Sequence, residues 1–128
     1  MKLSYSAPSL CGKPTVLLID DQEDIRAAWS MVLEAAGIAV ITSADGEDGI
    51  RNARAHRPDV IICDFMMPGM DGLEACASIR SDETLRHAFI ILWSAVPGLR
   101  ANNLADLVIE KPVDVESFLK LIRDVGQH

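Results

Sequence analysis

The feature that most constrains this chain is a series of short, almost purely apolar runs that end in polar or charged residues. TVLLID at 15–20 and PDVIICD at 58–64 both end in acid. HAFIILW at 87–93 runs into Ser94, and LVIE at 107–110 runs into Lys111. Apolar runs of this kind read as strands covered on both faces, which means a parallel sheet sandwiched by helices. Between them lie segments of helical period. Gln22 to Ala36 carries Ile25, Ala28, Trp29, Val32, Leu33 and Ala36 on one stripe, and Gly37 stands where a C-terminal glycine cap belongs. Ile38–Thr42 reads as a strand, Asp45–Ala55 and Gly72–Arg80 as helices, and Asp114–Val125 as a last amphipathic helix with Asp114 as its N-cap. The alternation of strand and helix requires right-handed crossovers and predicts a doubly wound α/β domain.

Charge narrows the function. Twelve basic against nineteen acidic residues leave a net charge of −7, which makes the domain a poor candidate for direct binding of nucleic acid. Charged residues interrupt every apolar run well short of a bilayer span, so no membrane segment is expected. The three cysteines, Cys11, Cys63 and Cys76, have no metal-ligand or disulfide-framework spacing and suit a reducing, cytoplasmic setting. Cys63 and Cys76 read as small buried hydrophobes. Residues 1–14 carry Ser, Pro and Gly without periodicity and read as a flexible arm, leaving 15–128 as a single domain.

In a doubly wound sheet, ligands bind outside the carboxyl ends of the strands. The residues expected there are Asp20 and Asp21, Asp64, Ser94 and Lys111. Singly, each acid is as well explained as a helix cap or a solvated loop residue, Asp21 as a cap of the first helix for instance. All five on one rim are much harder to ascribe to chance. Three converging carboxylates repel one another unless a cation joins them, and Mg²⁺ suits one or two carboxylates with waters and phosphate oxygens. A carboxylate beside such a metal can act as a nucleophile on phosphorus, with Lys111 and Ser94 stabilising the transferring oxygens.

VLLIDD, DVIICDFMMPGMDG, IILWSA and EKP, in that order, closely resemble the receiver domain of two-component response regulators, from about Thr15 to Val125. The resemblance implies a flavodoxin-like five-stranded parallel sheet in 2-1-3-4-5 order, an order known from a chemotaxis member of the family. It implies Asp64 as the phosphoacceptor, charged by a histidine kinase or a histidine phosphotransfer protein. Asp21 and Asp64 would bind Mg²⁺ directly, Asp20 largely through water, and the Met66 backbone carbonyl would complete the protein ligands. Ser94 would hydrogen-bond the phosphoryl group, the backbone at the small Ala95 would approach it, and Lys111 would pair with one of its oxygens. The Lys111–Pro112 bond is typically cis in the family. Such a protein is a signalling switch that catalyses only its own phosphorylation and dephosphorylation, with a downstream protein partner that the sequence does not name.

Two departures stand out. The family usually has Tyr or Phe three residues before the lysine, where this chain has Val108, and Trp93 is a candidate substitute. The stretch from Ser94 to Lys111 is also short for the family. Pro97 and Gly98 delay any helix, so the fourth helix is expected to be shortened or irregular, with about two turns over Leu99 to Ala105. These departures motivate the alternative of a receiver-like interaction module whose output is independent of phosphorylation. A metal-dependent phosphatase is disfavoured, because the second acid it needs two residues after the nucleophile is Met66 here. The chain runs three residues past its last helix, which fits either a single-domain regulator or a piece of a longer protein. His56, His87 and His128 share no ligand spacing, and Arg51, Arg54 and Arg57 read as a solvated helix face.

Overall fold

A computed structural model describes residues 14–126. Five strands, β1 (Thr15–Ile19), β2 (Ala39–Ser43), β3 (Val60–Asp64), β4 (Phe89–Ser94) and β5 (Leu107–Glu110), form one sheet in the order β2-β1-β3-β4-β5. Every neighbouring pair is parallel. Four helices connect or follow them: α1 (Glu23–Ala35), α2 (Gly46–His56), α3 (Gly72–Arg80) and α4 (Val115–Gly126), with a 3₁₀ turn at Glu83–Leu85. The arm expected over residues 1–14 lies outside the described residues except for Pro14, whose carbonyl accepts from the Ala39 amide.

Strand alternation assigns the core. Leu17, Ile19, Ile61, Cys63, Ile90 and Leu92 point to one face and pack against α2 and α3. Val16, Leu18, Val60, Ile62, Ile91 and Trp93 point to the other and pack against α1 and α4. Both sets are buried because a parallel sheet with crossovers of one hand carries helices on both sides. Cys63 and Cys76 are both fully buried in the first cluster, and the neighbouring Cys76 thiol and burial push Cys63 well up, so it stays protonated and unreactive.

Helix ends follow local chemistry. α1 closes with a Schellman motif, in which the Ile38 amide donates to Leu33 and the Gly37 amide to Glu34. α3 opens with a reciprocal capping box, Asp71 Oδ1 accepting from the Glu74 amide and Glu74 Oε1 from the Asp71 amide. Asp114 accepts from the Ser117 amide at the start of α4.

The segment between β4 and β5 differs from expectation. Leu99 to Ala105 form no helical turns; residues 95–106 are a chain of bends and turns. Asn102 and Asn103 sit at φ 49° and 72°, a left-handed conformation that asparagine tolerates and a helix does not. Asp106 then holds the end of the loop, accepting from the Ile90 amide at 2.8 Å and pairing with Arg80.

Candidate functional site

Strands β1, β3, β4 and β5 deliver their last residue, or the one or two that follow it, to a single rim. One oxygen from each of Asp20, Asp21 and Asp64 lies within 4.8 Å of the others. Lys111, immediately after β5, extends back so that Nζ donates to Asp64 Oδ1 at 2.6 Å. Ser94 closes β4 and is fully buried, but its hydroxyl accepts from the Val96 amide at 2.8 Å and is thus engaged by its own loop. Met66 and Ala95, in the loops that leave Asp64 and Ser94, are both exposed. The Lys111–Pro112 peptide is cis.

Asp20 bears the electrostatic cost of this arrangement. It is 1% exposed, and Oδ2 has no hydrogen-bond partner among the described residues. Burial pushes its carboxyl above the ordinary value, the Asp64 and Asp21 charges push the same way, and the Gln22 amide opposes them. That amide donates to Asp20 Oδ1 at 2.9 Å, so Asp20 rather than Asp21 shapes the turn into α1. Gln22 is the N-cap residue and makes no side-chain cap.

Two supporting residues were not singled out by sequence reasoning. Arg26, one turn into α1, donates to the Asp20 carbonyl at 2.8 Å and ties the loop to its helix. Its place in the helix gives no signal of this. Gly72 permits α3 to start against the acidic loop: a Cβ there would lie 2.5 Å from the Asp64 carbonyl and 2.7 Å from Phe65 Cα. The glycine of the MPGMDG stretch was a usable signal, because a glycine opening a helix often marks close backbone approach.

The aromatic positions are also informative. Val108 is half-buried against the α2–α3 cluster. Trp93, paired in register with Asp64 on β3 and Ile109 on β5, turns to the opposite face. Among the three methionines of the loop, Met67 is buried and Met70 half-buried, whereas Met66 is 63% exposed.

A parallel sheet in this strand order, with acids at the ends of its first and third strands and a lysine after its fifth, defines a class of signalling switch. The chain belongs to the response regulator receiver domain family, whose profile matches residues 16–123. It is 42% identical over 107 residues to the transcriptional regulatory protein AfsQ1 of Streptomyces coelicolor, covering 78% of this chain and 45% of that one. It thus spans about half the length of such regulators, and 48% of CseB from the same organism. Among solved structures, the Vibrio cholerae chemotaxis protein CheY4 superposes with a TM-score of 0.80 at 30% identity, covering 88% of this chain and 98% of that one. TrrA of Thermotoga maritima, solved in complex with Mg²⁺ and beryllofluoride, gives a TM-score of 0.78 at 26% identity over 88% of this chain and 98% of its own. The protein is a receiver domain of the two-component response regulators, a signalling component, and the phosphorylation-independent module is not favoured. Among the described residues, no helix is long and apolar enough to cross a membrane.

Proposed function

We propose that Asp64 accepts a phosphoryl group from a phosphohistidine on a histidine kinase or phosphotransfer protein. The observation that carries this reading is the triad of carboxylates within 4.8 Å, one of them bonded to Lys111. Three acids so close, with a buried Asp20 oxygen left unpartnered, suit a hard divalent cation. Asp20, Asp21, Asp64 and the Met66 carbonyl would hold Mg²⁺, which when bound supplies positive charge to the oxygens of the transferring group.

The chain's own residues do the rest. A carboxylate oxygen of Asp64 bonds to phosphorus as the bond from phosphorus to the donor imidazole nitrogen breaks, and the imidazole leaves with that electron pair. Lys111 exchanges its partner from Asp64 to a phosphoryl oxygen. Ser94, whose hydroxyl donates to the Val96 carbonyl at 3.3 Å, turns that proton to another, and the backbone at Ala95 lies beside the group. Because Asp64 is nearly buried, these charges act with little screening. Dephosphorylation is the attack of water on phosphorus, which breaks the bond to the Asp64 oxygen, restores the carboxylate and releases inorganic phosphate and a proton to solvent. Phosphohistidine donors and free thiols both suit a cytoplasmic protein, and its output is the binding of a downstream protein.

Intact mass after incubation with Mg²⁺ and acetyl phosphate tests this. One added phosphoryl group is expected, absent in Asp64→Ala. Equal incorporation in the variant would identify a different acceptor, and none in the parent from either acetyl phosphate or a phosphohistidine donor would remove the chemistry.

A further inference from the structure

The family's usual aromatic position is Val108, and the segment that would form the fourth helix has no regular structure. That segment is also tied at both ends: the Gly98 amide donates to Glu110 Oε2 at 3.0 Å, and Asp106 accepts from Ile90 at 2.8 Å. The opposite face of the sheet is organised differently. Trp93, directly before Ser94, stands 4.9 Å from Trp29 of α1 and 5.1 Å from Phe118 of α4, measured between ring centroids. Trp29 and Phe118 are themselves 5.4 Å apart, so the three rings form a closed triangle joining one strand and two helices.

Two further observations bear on whether this triangle can move. The Trp93 indole nitrogen is buried and has no acceptor among the described residues, so its N–H is in a state that other packings would improve. Beside it lies a solvent-open cavity of about 310 Å³, lined by Ile25, Trp29, Trp93, Lys111, Pro112 and Val113. Lys111 lines this cavity and holds Asp64, so one residue borders both the acidic site and the space beside the indole.

We infer that the aromatic triangle Trp29–Trp93–Phe118 carries the state of the acidic site to the α1–α4 face of the domain. This rests on the phosphoacceptor reading of Asp64. When Lys111 turns from Asp64 to a phosphoryl oxygen and Ser94 leaves Val96, the wall of the cavity and the end of β4 shift together. Trp93 then repacks into the cavity, and Trp29 and Phe118 follow, changing how α1 and α4 sit on the sheet. Output thus leaves through these two helices, on the side of the sheet away from Val108.

Hydrogen exchange by mass spectrometry, run with Mg²⁺ and excess acetyl phosphate and with intact mass read on the same sample, separates the two claims. In the parent, phosphorylation is expected to change amide exchange several-fold in Glu23–Ala35 and Val115–Gly126. Trp93→Leu should take up phosphoryl normally and lose both changes. Phe118→Leu, a milder variant on the far side of the triangle, should lose the change in α4 and keep that in α1. Normal mass gain with α1 and α4 unaffected, or with their response intact in Trp93→Leu, overturns this inference alone. No mass gain in the parent from either acetyl phosphate or a phosphohistidine donor overturns the phosphoacceptor reading, and this inference with it.

Discussion

The α2–α3 face and the α1–α4 face of the sheet use alternate residues of the same strands yet are packed by opposite means. On the first, small residues let backbones approach. A Cβ on Gly49 would lie 2.4 Å from Ile19 Cδ1, one on Gly72 would meet the Asp64 carbonyl, and Ala53, Ala75 and Cys76 are fully buried. On the second, three large rings fill the space between β4 and the helices α1 and α4, and a solvent-open cavity lies beside them. Close backbone contact leaves no slack, because interiors are packed as densely as organic crystals. Tilted rings tolerate several orientations of similar energy. One face is therefore built as a fixed reference and the other as a part that can adjust.

The comparison can be broken by measuring what each face costs to damage. Phe118→Ala removes a ring from the triangle and is expected to cost about 3–5 kcal/mol in urea unfolding. Leu104→Ala, in the half-buried loop on the other face, is expected to cost only about 1 kcal/mol. Equal costs would mean that the irregular loop packs as tightly as a helix. Gly72→Ala sharpens the claim of close approach. The added methyl meets backbone atoms that cannot yield, so about 1–3 kcal/mol is expected, together with slower phosphoryl uptake at the displaced Asp64. An unchanged melting temperature and rate would show that α3 has room to move.

The smallest effect lies at the rim where the faces meet, and its sign is informative. The Asp20 carboxyl is raised by burial, so over the range between its ordinary and raised values the folded protein binds more protons than the unfolded chain. Stability falls as pH rises through that window, and the deficit remains at neutral pH. Asp20→Asn keeps an oxygen for the Gln22 amide and removes the charge, so without Mg²⁺ it should melt higher than the parent at neutral pH. The difference should close at acid pH, and Mg²⁺ should raise the parent's melting temperature more than the variant's. A variant less stable than the parent at neutral pH would show that the carboxylate is not under strain.

What was legible in the sequence has a common physical basis. The central strands β1, β3 and β4 announced themselves because both faces are buried, which makes each run apolar without interruption. The rim was legible because a parallel sheet sends all its strand ends to one side, so the residues that end or follow each run identify the acids, Ser94 and Lys111. Boundaries came within one or two residues, as at α1, where the periodic stripe beginning at Gln22 starts helically at Glu23. The failure at 99–105 is equally physical. Length alone left space for two turns, but two asparagines in left-handed conformation and the anchoring of Asp106 on β4 and α3 take the backbone elsewhere.

The sequence by itself determined the fold class, the order of elements and the inventory of the acidic rim, because these follow from local periodicity and from the geometry common to every parallel sheet. Only the tertiary structure decided that Asp20 rather than Asp21 holds the turn into α1, and that Arg26 and Gly72 support the site. It also decided that Trp29, Trp93 and Phe118 meet. Each of those facts depends on distances between groups far apart in the chain, which no local pattern encodes.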